Sequence, residues 1–347
     1  MHSGETNPTM KEVASRAGVA LSSVSRVLNN HPDVSDRMRQ RVLNAVNDLG
    51  YEPNLVASSL RRGSTNTIGF VVSDISNPLF ADFTKGAGDQ LQAAGYSMVL
   101  TNAGSNPEQD EAMIRLLRWR RVDGLITSLA DESRPDTVAE LQRIEVPIVL
   151  LDRFVDELPN ASVISAEHAS GMTEATAHLL ALGHRRIALI SGSPRIRPPN
   201  ERVDGFRRAF GSVGVPYPSD LVRLGSFSPE FGTRSTTELL ALPDRPTAII
   251  SGGNLLLTGV LRALRSAELH PGRDIALISC DDVALAELHT PPITVIARDT
   301  VRMGELAAEL MLERLASEDA PPRVERVPTT LVMRKSTFPL EQSASLA

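Results

Sequence analysis

Apolar positions near the start of the chain recur with helical spacing. Met10, Val13, Ala14 and Ala17 fall on one face of a short first helix. Thr9 stands where a cap belongs, Glu12 completes a capping-box pattern, and Gly18 supplies a tight turn. A second helix is predicted from Leu21 to Asn29, burying Val24, Val27 and Leu28 and presenting Ser22, Ser23, Ser25, Arg26 and Asn29. A third begins after Ser35, a good cap, and stacks Met38, Val42, Ala45, Val46 and Leu49. Three short helices with a glycine turn between the first two make a helix-turn-helix bundle. A helix of this kind fits the major groove of DNA, where Arg26 can donate two parallel bonds to a guanine or clamp a phosphate. The same pattern also fits a small three-helix domain with a solvated, serine-rich face.

Tyr51-Glu52-Pro53-Asn54 then leads into a run from Leu55 to Gly63 that is too short to hold a helix alone. It could fold when docked on DNA or on a partner copy, or serve as an ordinary inter-domain linker. From Ile68 onward the period changes. Apolar strands are predicted at 68–72, 97–101, 124–127, 148–151, 187–190, 247–251, 275–279 and 294–297. Amphipathic helices are predicted at 80–94, 107–118, 174–182, 202–212, 255–267 and 300–315. This alternation predicts an α/β fold of parallel sheets covered by helices. The strands are too many for one compact sheet, so two similar lobes are expected, with a ligand cleft at the strand C-termini.

Composition narrows the class. A chain of 347 residues exceeds one ordinary core, and 41% apolar with 22% charged residues is a soluble, globular composition. No apolar run reaches the roughly 18 residues that span a bilayer, and the stretch from Met1 to Pro8 lacks a secretory h-region. The single cysteine, Cys280, excludes an intramolecular disulfide and a multi-cysteine metal site. A cytoplasmic protein without cofactor or metal is the expectation. Net charge is −6, yet residues 1–65 carry eight Lys/Arg against six Asp/Glu, so a mildly basic module precedes an acidic body. Gly86-Ala87-Gly88 faintly suggests a dinucleotide loop but lies inside a helical pattern, which points to packing. His178 and His184 are wrongly spaced for helical metal ligands, and no nucleophile elbow or P-loop is present, so no enzyme is expected.

The run from Thr9 to Asn29, TMKEVASRAGVALSSVSRVLN, closely resembles the start of the LacI/GalR family of bacterial repressors. Val34-Ser35, Gly50-Tyr51-Glu52-Pro53-Asn54 and Ala57-Ser58-Ser59-Leu60 match at the family's distances. The likeness continues through Ser73–Phe80, Arg121–Ile126, Leu182–Ala188, Ser279–Asp282, Pro291–Thr294 and Leu331–Ser336, and so covers nearly the whole chain. It implies base-reading roles for Leu21, Ser22 and Arg26. Thr9, Ser23, Ser25, Asn29, Ser35 and Tyr51 match positions that touch phosphates or pack at the groove edge. Asn54 would open a hinge helix, Ala57 would face the minor groove, and Leu60 would be the wedge that kinks the operator. Ala20 departs from the family's usual serine cap, which would leave the recognition helix frayed until DNA binds.

By the same likeness, the body resembles periplasmic sugar-binding proteins. The implied organisation is a DNA-binding domain at 1–53, a hinge at 54–65, an effector domain at 66–340 and a loose tail at 341–347. The N-lobe would hold 66–165 and 299–327, and the C-lobe 166–298 and 328–340. The effector cleft would draw on Asp74, Phe80, Asp152, Arg202, Phe227, Asp281 and Arg298, although each alone also fits a surface ion pair or a core aromatic. Ala166-Glu167 replaces an Asp-Asn pair, Gly253-Asn254 replaces an Asn-Asp, Cys280 stands for an aromatic and Arg298 for a glutamine. Arg298, with Arg195 and Arg197 near in sequence, suggests an acidic or phosphorylated sugar. The expectation is a homodimeric repressor, rather than a tetramer, that binds a palindromic double-stranded operator under control of a carbohydrate or carbohydrate derivative. A solute-binding protein of the same fold is the alternative, and would need an export signal.

Overall fold

A computed structural model describes residues 8–28, 31–51, 63–317 and 319–340. The chain divides into two compact units, Met1–Thr65 and Asn66–Ala347.

The first unit is built from α1 (Met10–Ala17), α2 (Leu21–Leu28) and α3 (Asp36–Leu49). Thr9 and Glu12 form the capping box that their spacing predicts, and Ser35 caps α3. Val13, Val24, Val27, Val42 and Ala45 meet in a core that Tyr51 completes. Gly18 ends α1 in the left-handed region, at φ 62°, where a Cβ would be strained. Arg41 of α3 fixes this turn by donating to the carbonyls of Ala17 (2.6 Å) and Gly18 (3.0 Å).

The second unit alternates strands and helices. Its first half runs β1 (Thr67–Val72), α4 (Leu79–Ala93), β2 (Ser97–Asn102), α5 (Pro107–Trp119), β3 (Gly124–Thr127), α6 (Pro135–Gln142), β4 (Ile148–Leu151) and β5 (Ser162–Ala166). Its second half runs α7 (His168–Ala181), β6 (Ile187–Ser191), α8 (Arg197–Ser212), β7 (Val222–Leu224), α9 (Pro229–Leu240), β8 (Ala248–Ser251), α10 (Asn254–Ser266), β9 (Ala276–Cys280), α11 (Ala284–Leu288) and β10 (Thr294–Arg298). Then follow α12 (Thr300–Ala316), β11 (Val324–Val327) and β12 (Thr329–Val332).

Two six-stranded sheets result, ordered β11-β5-β4-β3-β1-β2 and β12-β10-β9-β8-β6-β7. Every pairing is parallel except β10 with β12. The two orders are the same order, so the unit is two copies of one lobe. The chain passes between the lobes after β5, after β10 and between β11 and β12. Each sheet is buried on both faces, as an all-apolar strand such as Ile148–Leu151 requires. The Gly86 stretch is packing. It lies in α4, where a Cβ on Gly86 would collide with the Val301 carbonyl of α12, and one on Gly304 would collide with the Phe83 carbonyl.

Four strands escape the sequence pattern. β5, β7, β11 and β12 are short or rich in Ser, Thr, Glu and Arg, and β2, β7, β11 and β12 form the sheet edges where alternation is weakest. The helices at Pro135, Pro229 and Ala284 were also not expected. α8 begins at Arg197 rather than Arg202, because Pro198 and Pro199 occupy a first turn in which no amide donor is needed. α7 likewise begins at His168, six residues before the predicted start.

Candidate functional site

In the first unit, α2 turns Leu21, Ser22 and Arg26 outward, with Leu21 44% exposed despite being apolar. Ser23 and Ser25 are half-buried on its flanks, while Val24 and Val27 anchor it to the core. The helix is formed from Leu21 although Ala20 offers no cap; the Ala20 carbonyl accepts from the N–H groups of Ser23 (2.9 Å) and Val24 (3.2 Å). Thr9 is exposed, and its hydroxyl is engaged by Glu12 at 2.9 Å. Ser35 is exposed beside α3, whereas Tyr51 is buried. Asn29, Asn54, Ala57 and Leu60, with most of the expected hinge, lie outside the described residues.

In the second unit, Asp74, Phe80, Asp152, Arg202, Phe227, Asp281 and Arg298 all line one cavity of about 380 Å³. The fold explains the convergence. Asp74, Asp152 and Asp281 follow β1, β4 and β9, and Arg298 ends β10, so these side chains gather at the C-terminal ends of parallel strands. Phe80 enters from the first turn of α4, Arg202 from α8 and Phe227 from the loop before α9.

Charge in the cavity is arranged as a chain. Arg298 donates from Nη1 to Asp152 and from Nε to Asp281 (2.9 Å), with all three side chains buried. The other oxygen of Asp152 receives the Ala166 N–H (3.0 Å) and faces Nε2 of His168 (3.1 Å). Nδ1 of His168 faces Nη2 of Arg202 at 3.4 Å. Because Arg202 can only donate, Nδ1 must accept, which places the ring proton on Nε2 toward Asp152. Burial opposes ionisation of Asp152, yet the Arg298 charge together with His168 and the Ala166 N–H outweighs it and holds this carboxyl well below its ordinary pKa. For His168, burial pushes the pKa down to about 4, so the ring is neutral near pH 7.

Several participants were not visible in the sequence. His168 directly follows the Ala166-Glu167 pair at which the chain departs from the family pattern. Arg153 is buried with its donors on the carbonyls of Leu129 and Asp152 (2.7 Å to the latter). Besides the Arg298–Asp152 bridge, contacts that join the lobes across the cleft include Asn254 donating to Asn77 (3.0 Å) and Arg195 pairing with Asp131 (3.3 Å). The Gly253-Asn254 departure was the signal for the Asn254 contact.

The positive charge of Arg298, Arg195 and Arg197 is not available as their sequence positions suggested. Arg298 is neutralised by two carboxylates and Arg195 by Asp131; Arg197 pairs with Glu201 and lies 4.2 Å over the Phe154 ring. No helix among the described residues is long and apolar enough to cross a membrane.

Residues 9–54 match the family model described as bacterial regulatory proteins, lacI family, and residues 176–337 match that of a periplasmic binding protein-like domain. The chain is 33% identical to the HTH-type transcriptional regulator DegA of Bacillus subtilis, over 96% of this chain and 98% of that protein. It is similar to the structure of a transcriptional regulator CelR–cellobiose complex, with 31% identity, TM-score 0.72 and coverage of 95% and 100%. It also resembles the lac repressor dimer bound to operator and the anti-inducer ONPF, with 26% identity, TM-score 0.84 and coverage of 96% and 100%.

Proposed function

Since the chain belongs to the LacI family of bacterial regulatory proteins, which are DNA-binding transcription regulators and not enzymes, we propose that it is a repressor whose hold on a palindromic operator is set by a sugar or sugar derivative. One observation carries this reading: an outward-facing α2 with Leu21, Ser22 and Arg26 in one unit, and a ligand-sized cavity with charged side chains between twin lobes in the other.

In this reading, Leu21, Ser22 and Arg26 read base edges, and Thr9, Ser23, Ser25, Asn29, Ser35 and Tyr51 set the register on the backbone. Two copies of the chain address two half-sites, so the operator mirrors the dimer's symmetry. Asn54, Ala57 and Leu60 would act in the minor groove at the operator centre. Asp74, Phe80, Asp152, Arg202, Phe227, Asp281 and Arg298 would enclose the effector. Two proteins similar to this chain support the reading, one solved with cellobiose and one as a dimer on its operator. The effector would act by changing the angle between lobes, and coupling of about 1–3 kcal/mol would shift operator affinity roughly 5- to 150-fold. The site of action is the cytoplasm.

Selection of random duplexes by the purified chain tests this reading. Enrichment of an inverted repeat is expected; recovery of duplexes with no shared sequence would overturn it.

A further inference from the structure

We propose that the effector carries a carboxylate that seats on Arg202; this rests on reading the second unit as an effector domain. Around the cavity, the two acidic groups best placed to receive a ligand's hydroxyls, Asp152 and Asp281, are already held by Arg298. Asp74, at the half-buried rim, accepts from the Ser76 N–H (2.9 Å) and the Ser105 hydroxyl (3.4 Å). Arg202 is in the opposite condition. It is 3% exposed, and among the described residues no carboxylate lies within ion-pair distance of it. Its Nε is buried with no hydrogen-bond partner, and the side chains its guanidinium does meet, His168 at 3.4 Å from Nη2 and the Cys280 thiol, are neutral.

Arg153 likewise meets carbonyls rather than a carboxylate at hydrogen-bonding distance. The charge of Arg153 is nonetheless met by those of Glu132, Asp152 and Asp110, and that of Arg298 by Asp152 and Asp281, so of the three buried guanidiniums Arg202 is the one with no ion pair among the described residues. A buried charge without a counter-charge is unfavourable. One incoming carboxylate supplies the missing counter-charge and accepts parallel, charge-assisted bonds from Arg202. A neutral polyol brings no charge, and a phosphate dianion brings a second negative charge close to Asp152 and Asp281. The Phe227 ring lies 5.9 Å from the Arg202 guanidinium and would flank the ligand's carbon skeleton. The cavity, at about 380 Å³, limits that skeleton to a small molecule of sugar size.

Titration calorimetry on the full chain tests this with uronates and aldonates, each compared with its neutral parent sugar and the corresponding phosphate ester. At least one sugar acid should bind about tenfold or more tightly than its neutral parent. Arg202→Gln should erase that preference, and Arg202→Lys should keep part of it. The inference is overturned if neutral sugars bind as tightly as their acids, if only phosphate esters bind, or if no acid binds at millimolar concentration. Operator selection by the unliganded chain is measured alongside. If the chain selects an operator and responds to a neutral metabolite, the regulator reading stands and this inference alone fails.

Discussion

Asp152 and Asp281 hold the same place in the two lobes, and one side chain joins them. Each follows its lobe's fourth strand, and each takes a left-handed backbone, with φ of 54° and 71°. Each donates its N–H to the third residue of the neighbouring strand, Ile164 at 2.7 Å and Ile296 at 2.9 Å. The lobes differ at the fifth residue of that strand. In the first lobe it is Ala166, whose N–H bonds Asp152; in the second it is Arg298, whose guanidinium bonds both aspartates. Two non-glycine residues in this conformation cost of order 1 kcal/mol each, so the packing around the cavity must over-determine them.

Replacing Arg298 with Met should leave two carboxylates buried without a counter-charge. The unfolding free energy of the second unit should fall by about 3–5 kcal/mol. Urea unfolding of the full chain checks this, and a loss under about 1 kcal/mol would show that the triad is not the tie described.

Two buried groups should make stability depend on pH in opposite senses. His168 titrates at about 4 in the folded chain against an ordinary 6.5, so between these values the unfolded chain binds more protons and stability rises with pH. Asp110, raised by burial from 3.8 to about 6, binds its proton when folded, so stability falls as pH rises across that range. The two effects oppose each other between pH 4 and 6. Relative to the unaltered chain, Asp110→Asn should therefore gain stability more steeply with pH there, and His168→Gln less steeply, each by up to about 1.4 kcal/mol per pH unit. Parallel curves for all three proteins would contradict both assignments.

Arg26→Ala should separate recognition from folding. The side chain is exposed and outside the helical core, so the melting temperature should hardly move. Loss of a bidentate base contact should weaken operator binding by about 1–3 kcal/mol while binding to random duplex changes much less. Competition gel-shift assays distinguish the two; an equal loss on both DNAs would make Arg26 a phosphate contact.

Gly86→Val tests the close approach of α4 and α12. The added atoms meet the Val301 carbonyl, and overpacking of about 1–3 kcal/mol should appear in denaturant unfolding. A neutral result would mean that the helices can separate freely.

Much of this architecture was legible because its signals are local. Met10, Val13, Ala14 and Ala17 share a helical face whatever surrounds them, and strands such as Ile148–Leu151 are uninterrupted apolar runs. What escaped depends on distant partners. Ser162–Ala166 reads as a polar loop until β4 and β11 flank it, and Val324–Val327 pairs with it only after the chain has crossed twice between lobes. The seven cavity residues could be named from the family pattern, but their pairing could not. Nothing near Arg298 in sequence announces that Asp152, some 146 residues away, neutralises it. His168 was silent for the same reason, since its partners Asp152 and Arg202 lie on separate segments.

Fluorescence anisotropy of a labelled inverted-repeat duplex, set against a shuffled duplex at fixed salt with and without a cavity ligand, probes the whole account at once. Affinity for the repeat should exceed that for the shuffled DNA at least about a thousandfold, and ligand addition should shift it roughly 5- to 150-fold, a shift that Arg202→Gln abolishes. Equal affinity for both duplexes, or a ligand that fills the cavity and leaves the binding curve unmoved, would contradict it.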